Sequence, residues 1–92
     1  MIEHLNINLY GKVQGVFLRR TVKHEASRQG INGFVRNEPD GTVRIEAEAS
    51  EEVLGEFVNW LKAGAGEGGD FQISQVESEQ GQFKAFSEFE IR

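Results

Sequence analysis

Leu5, Ile7 and Leu9 alternate with His4, Asn6, Asn8 and Tyr10. This period of two predicts a half-buried strand over 2–10, with His4 on the solvated phase. From 21 to 29 the spacing changes to that of a helix whose inward positions are Val22 and Ala26, extended by Val16 or Leu18 below and Ile31 above and stopped by Gly30. His24 leans away from this stripe and is expected in solvent. Two more alternating runs, 33–37 and 42–49, flank Glu38-Pro39-Asp40-Gly41, whose residues favour a turn. In the second run Val43, Ile45, Ala47 and Ala49 share one face, and Thr42, Arg44, Glu46 and Glu48 the other, which predicts a half-buried strand. In the first, Asn37 shares the phase of Val35 and ends the strand beside the turn. Ser50 with Glu51 and Glu52 forms a helix start. The stripe Val53, Leu54, Phe57, Val58, Trp60 and Leu61 comes next, with Trp60 expected in packing. The glycine-rich stretch 64–69 opposes both helix and strand and predicts a flexible connector. After a weak, edge-like segment at 71–76, Phe83, Ala85, Ser87, Phe89 and Ile91 alternate and predict a final strand over 83–91.

The order is strand, helix, strand, strand, helix, strand. Two right-handed crossovers place the strands in the spatial order 4-1-3-2, each antiparallel to its neighbours, with both helices on one face. The predicted class is α+β, a ferredoxin-like α/β sandwich of βαββαβ order. Its 92 residues are read as one domain, 1–92, which would bury roughly 60 to 65% of the unfolded chain's surface.

Composition narrows the function classes. With 38% apolar and 27% charged residues, and neither a long apolar run nor an N-terminal signal pattern, the chain reads as soluble and cytoplasmic. The absence of cysteine excludes a disulfide framework, thiolate catalysis and thiolate metal sites. A net charge of −5 argues against a nucleic-acid partner, yet the charge is unevenly spread. Residues 1–44 carry seven Lys/Arg against four acids, and 45–92 carry three against eleven. The basic half can draw in a small anion while the acidic half keeps the molecule soluble.

The basic half contains the candidate chemistry. In Gly11-Lys12-Val13-Gln14-Gly15-Val16-Phe17-Leu18-Arg19-Arg20 a strand pattern ends, glycines bracket a turn, and a helix begins. The first N–H groups of a helix have no partner within it and its dipole is positive there, so a phosphate or carboxylate fits without a metal. Arg19 adds a planar, permanently charged fork.

This run resembles the acylphosphatase signature Gly-x-Val-Gln-Gly-Val-x-aromatic-Arg at every fixed position except Leu18. Gly33-Phe34-Val35-Arg36-Asn37 followed by Gly41-Thr42-Val43 is similar to a second segment of that family. The resemblance implies that Arg19 and the backbone N–H groups of Gln14, Gly15, Val16, Phe17 and Leu18 hold a phosphoryl group. It also implies that the Asn37 amide orients the attacking water, and that the substrate is a small acyl phosphate, cleaved to a carboxylate and inorganic phosphate. Such chemistry needs no cofactor or metal, because a carboxylate leaves readily and the substrate's own phosphate can take the water's proton. The expected state is a monomer with no nucleic-acid or membrane partner. Two other readings stand beside it: a module of the same fold that holds an anion without turnover, and a dimeric regulatory domain. Arg19 has Glu25 as an alternative surface partner, and Asn37 has the strand-end backbone. Two positions depart from the family pattern, Leu18 for an aromatic residue and Ala49 for a glycine.

Overall fold

The computed structural model describes residues 1–66 and 70–92, with the backbone alone for Val16. Strand β1 (Ile2–Lys12) leads into helix α1 (Val16–Arg28), followed by β2 (Asn32–Asn37), β3 (Val43–Ser50), α2 (Glu51–Lys62), β4 (Gln72–Gln80) and β5 (Phe89–Ile91). The sheet order is β4-β1-β3-β2-β5. β1 and β3 are central because Ile7, Leu9, Val43, Ile45 and Ala47 are fully buried on one phase. Leu18, Val22 and Ala26 of α1 and Leu54, Phe57, Val58 and Leu61 of α2 close the core over that same phase. This is the α+β, ferredoxin-type fold, with both helices on one face of the sheet. Among the described residues no helix is long and apolar enough to cross a membrane.

The fourth strand of the predicted order is Gln72–Gln80, the stretch whose alternation is weak, and not 83–91. β4 is an edge strand antiparallel to β1, largely exposed, so a ladder of backbone hydrogen bonds holds it while polar side chains face water. The alternating 83–91 stretch is mostly irregular; Ala85, at φ 58°, breaks its extended course. Only Phe89–Ile91 pairs, parallel to β2, so the expectation of an entirely antiparallel sheet fails at this edge. β2 lies close against β3 because Gly33 has no side chain: a Cβ there would collide with the Glu46 carbonyl oxygen.

α1 begins at Val16, so the pattern read over 21–29 is continued below Val22 as far as Val16. Its inward residues are as expected, with Val22 and Ala26 buried and His24 exposed. At its end Gly30 donates to the Ser27 carbonyl and Ile31 to that of Ala26, a Schellman closure. α2 repeats that closure with Gly64 to Leu61 and Ala65 to Trp60, and the partly buried Trp60 packs against the core as expected. Of the predicted 64–69 connector, residues 67–69 lie outside the described residues. Ala49 fits without strain in regular strand, paired with Glu3.

The sheet's second face differs most from expectation. His4, Glu46 and Glu48, all assigned to solvent by their phase, are 2%, 4% and 3% exposed. Residues 81–88 form an arm across that face and exclude water from it. His4 Nδ1 lies 2.7 Å from Glu48 Oε2, and Nε2 lies 2.8 Å from Asn6 Oδ1 and 3.2 Å from Glu46 Oε1. Glu48 also accepts the backbone N–H groups of Lys84 at 2.6 Å and Phe86 at 2.9 Å. Glu46 takes the Lys84 ammonium at 2.8 Å and the Arg44 guanidinium at 3.1 Å. The Phe86 ring lies 6.1 Å from that of His4 and meets Phe34 edge-on at 5.8 Å, while Arg92 stacks over Phe34 at 4.4 Å. β3 is therefore buried on both faces, through charge pairing on one of them.

Burial alone would raise the Glu48 carboxyl, but the Lys84 N–H, His4 and the Phe86 N–H outweigh it and hold the group below its usual range. A carboxyl depressed by folding stabilises the fold above its unfolded pKa, and that stabilisation is lost as pH falls through the folded value. Glu48→Gln is expected to cost about 1–3 kcal/mol at pH 7. In urea titrations from pH 7 to pH 3, the unfolding free energy should fall less steeply in this variant than in the natural protein. Parallel profiles would show that the carboxylate makes no net contribution.

Candidate functional site

The loop between β1 and α1 is anchored by Val13, which is buried in the core, and turns at Gly15. Gly15 holds φ 154° and ψ 159° as the N-cap of α1, a conformation that L side chains rarely adopt. Among the described residues no side chain caps this helix, and its first turn contains no acid. α2 shows the opposite arrangement, with Ser50 Oγ accepting the Val53 N–H at 3.3 Å and Glu51 and Glu52 in the first turn. A cap of that kind is worth about 1 kcal/mol. α1 forgoes it and leaves its first N–H groups and its positive dipole end open to an external anion.

Leu18, in place of the family's aromatic residue, is 1% exposed and fills the core, whereas Phe17 on the outer side is 56% exposed. Arg19 is half-buried, and its Nε is buried with no hydrogen-bond partner among the described residues. Glu25 does not pair with it: both oxygens of that carboxylate are taken by Arg28, at 2.6 and 3.2 Å, with Gln29 also on one of them. The Arg28 hydrogen bonds hold Glu25 below its usual range despite partial burial. Arg20 is exposed, as expected.

Asn37 ends β2 opposite Val43, which is itself opposite Leu9 of β1. The three form a row on the helix-bearing face, so the Asn37 side chain emerges on the side of the sheet where α1 begins. Its Oδ1 is buried and has no partner among the described residues. A buried, unpaired acceptor costs about 1–3 kcal/mol, so the strand-end backbone does not account for it. The turn after it has its own bonds: Glu38 N–H donates to the Thr42 carbonyl at 2.9 Å, and Asp40 Oδ1 accepts both the N–H and the hydroxyl of Thr42.

Gln14 joins the two halves. Its Nε2 donates to the Glu38 carbonyl at 2.5 Å and to the Thr42 carbonyl at 3.1 Å. Because Glu38 comes directly after Asn37, this contact ties the loop before α1 to the strand end that carries Asn37. α1 also packs directly against β2. From its place in the motif Gln14 is expected to offer only its backbone N–H, since neither spacing nor charge signals a side chain that spans two distant turns. The arrangement thus joins a helix N-terminus with open donors, a guanidinium with an unused Nε, and an amide with an unused acceptor. It can hold an anion and, beside it, a hydrogen-bond donor such as water.

A family model described as acylphosphatase matches residues 5–91. An acylphosphatase of Thiobacillus denitrificans is 40% identical over 60 residues, which cover 65% of this chain and 67% of that one. One of Pyrobaculum islandicum is 35% identical over 94 residues, covering 98% of this chain and 96% of the other. The crystal structure of acylphosphatase from Bacillus subtilis superposes with a TM-score of 0.88 at 30% identity, covering 100% of this chain and 99% of that one.

Gln14→Ala is expected to leave the core intact and to weaken inorganic phosphate binding about three- to tenfold in calorimetric titrations, since one or two hydrogen bonds that set the loop are lost. Unchanged affinity would show that the loop keeps its shape without the tether.

Proposed function

The chain belongs to the acylphosphatase family and is a hydrolase of that kind, and on that premise we propose how its residues divide the work. The phosphoryl group of a small acyl phosphate binds to the open N–H groups of 14–18 and to the Arg19 guanidinium, which matches two of its oxygens. Asn37 Oδ1 accepts a hydrogen bond from water and aims it at phosphorus, opposite the acyl oxygen. The water oxygen–phosphorus bond forms as the bond from phosphorus to the acyl oxygen breaks. The electron pair leaves with the carboxylate, and the water's proton passes to a phosphate oxygen. Charge stabilisation and positioning supply the acceleration, so the step calls for no dedicated base, metal or cofactor.

One observation supports this reading above the others: Arg19 Nε and Asn37 Oδ1 are both buried and unpartnered among the described residues, on two elements that pack together. A donor and an acceptor left open on two elements that pack together suit a reaction that needs both an anion and a water. A domain that only held phosphate would gain nothing from the unpaired Asn37 acceptor. The protein is taken to act as a monomer in the cytoplasm on small molecules, and its net charge of −5 disfavours nucleic acid and anionic membranes.

Hydrolysis of benzoyl phosphate in EDTA tests this directly. Asn37→Ala should lower kcat at least about a hundredfold while phosphate affinity stays within about threefold. Arg19→Ala should weaken phosphate binding at least about tenfold, as expected for a lost charge-assisted pair. Equal loss of binding and turnover in both variants would sink the division of roles, and phosphate binding without turnover by the natural protein would favour a holding module.

A further inference from the structure

The buried charge network on the sheet's second face has no part in the chemistry above, yet burying two glutamates is costly. A buried ion pair is often no more stable than apolar residues of the same volume, so its retention here calls for a reason. Glu48 supplies one. Its two oxygens accept the backbone N–H groups of Lys84 and Phe86 as well as the contact to His4, which no apolar side chain can do.

Those two N–H groups belong to a stretch with no ladder of its own, since 81–87 has no regular secondary structure. The arm then runs into β5, a strand of three residues. Phe89 of β5 is 4% exposed within the core, and β5 packs against α1 on one side and pairs with β2 on the other. The Gly33 N–H donates to the Glu88 carbonyl and the Arg92 N–H to that of Val35, both at 2.8 Å. α1 carries Arg19, and Asn37 lies two residues beyond Val35. Through Glu88 and the β5 that follows it, the arm is thus joined to both elements that carry the candidate site residues. A parallel pair of three residues is weak in isolation, so its seating depends on what clamps the arm upstream.

We infer that Glu48 is a positioning residue: by clamping the arm at Lys84 and Phe86 it seats β5 against α1 and beside β2 and so sets where Asn37 stands relative to the phosphate cradle. For turnover, the inference rests on the hydrolysis proposed above. The cradle's own N–H donors lie in α1 and its preceding loop, which Gln14 ties to the turn after β2, so phosphate binding is expected to depend on the clamp less than the placement of Asn37 does.

Glu48→Gln keeps the shape but not the charge, and is compared with the natural protein by NMR, with and without inorganic phosphate, and by kinetics on benzoyl phosphate. The expected result is that the Asn37 side-chain amide signals move, while the 14–18 backbone signals and the phosphate dissociation constant stay within about twofold. kcat should fall at least about fivefold with KM nearly unchanged. Asn37 signals that stay put, or that move with kcat unaffected, overturn the inference. So does a joint loss of Asn37 placement and phosphate affinity, which marks general loosening. If Glu48→Gln does not fold, Phe86→Ala, which removes the ring packed on His4 and Phe34 and keeps the carboxylate, is held to the same criteria. A natural protein that binds phosphate without hydrolysing the substrate removes the hydrolase reading, and the NMR comparison still decides the role of the arm.

Discussion

The row Leu9–Val43–Asn37 across β1, β3 and β2 is the constraint on which the rest depends. Antiparallel pairing fixes which residues stand opposite one another, and a slip by one residue would send Asn37 to the far face and Val35 out of the core. Burial of Ile7, Leu9, Val43 and Ile45 on a single phase makes such a slip prohibitive, since each apolar side chain is worth about 1.5–3 kcal/mol in burial. The hydrophobic core therefore sets the site's geometry before any polar group acts.

On that frame the two helices are finished differently. α2 receives a serine cap, two acids and a full apolar stripe, the arrangement expected where stability alone is served. α1 begins on a bare glycine and leaves donors open, giving up about 1 kcal/mol. Arg19 Nε and Asn37 Oδ1 are also without a partner among the described residues. Local sacrifices gathered at one end of one helix, beside a well-finished remainder, are the usual mark of a site where stability is given up for binding. Gln14 offsets part of this by cross-linking the loop to the β2–β3 turn.

The sheet's two faces also use different means. The helix-bearing face is closed by packing, the opposite face by an irregular arm held through charge-assisted hydrogen bonds to Glu46 and Glu48. Such bonds are directional, so they hold an irregular segment in one place where apolar contact alone would let it slide. The arm also covers what the ladder leaves open, because β5 shields the outer edge of β2.

Much of the fold was legible because its information is local. Period-two and period-3.6 patterns located β1, β2, β3 and α2 within a residue or two, and Gly30 and Ser50 marked helix ends through backbone chemistry that needs no distant partner. The start of α1 was legible for the same reason: an uncapped helix start after Gly15 is a short-range feature, and Arg19 is part of the same run. What the sequence could not decide were effects made by chain segments far apart. His4 and Glu48 keep to an exposed phase, and only the arm arriving from 81–88 buries them. β4 looks weak alone and is held by β1, whereas the stronger alternation at 83–91 finds a partner only at β5. The Gln14 tether spans 24 residues to Glu38, and no periodicity encodes it. Sequence by itself determined which residues seek the core and where a helix leaves its donors open. Tertiary structure decided which polar groups lose water and which strand ends meet, because those depend on what is packed across them.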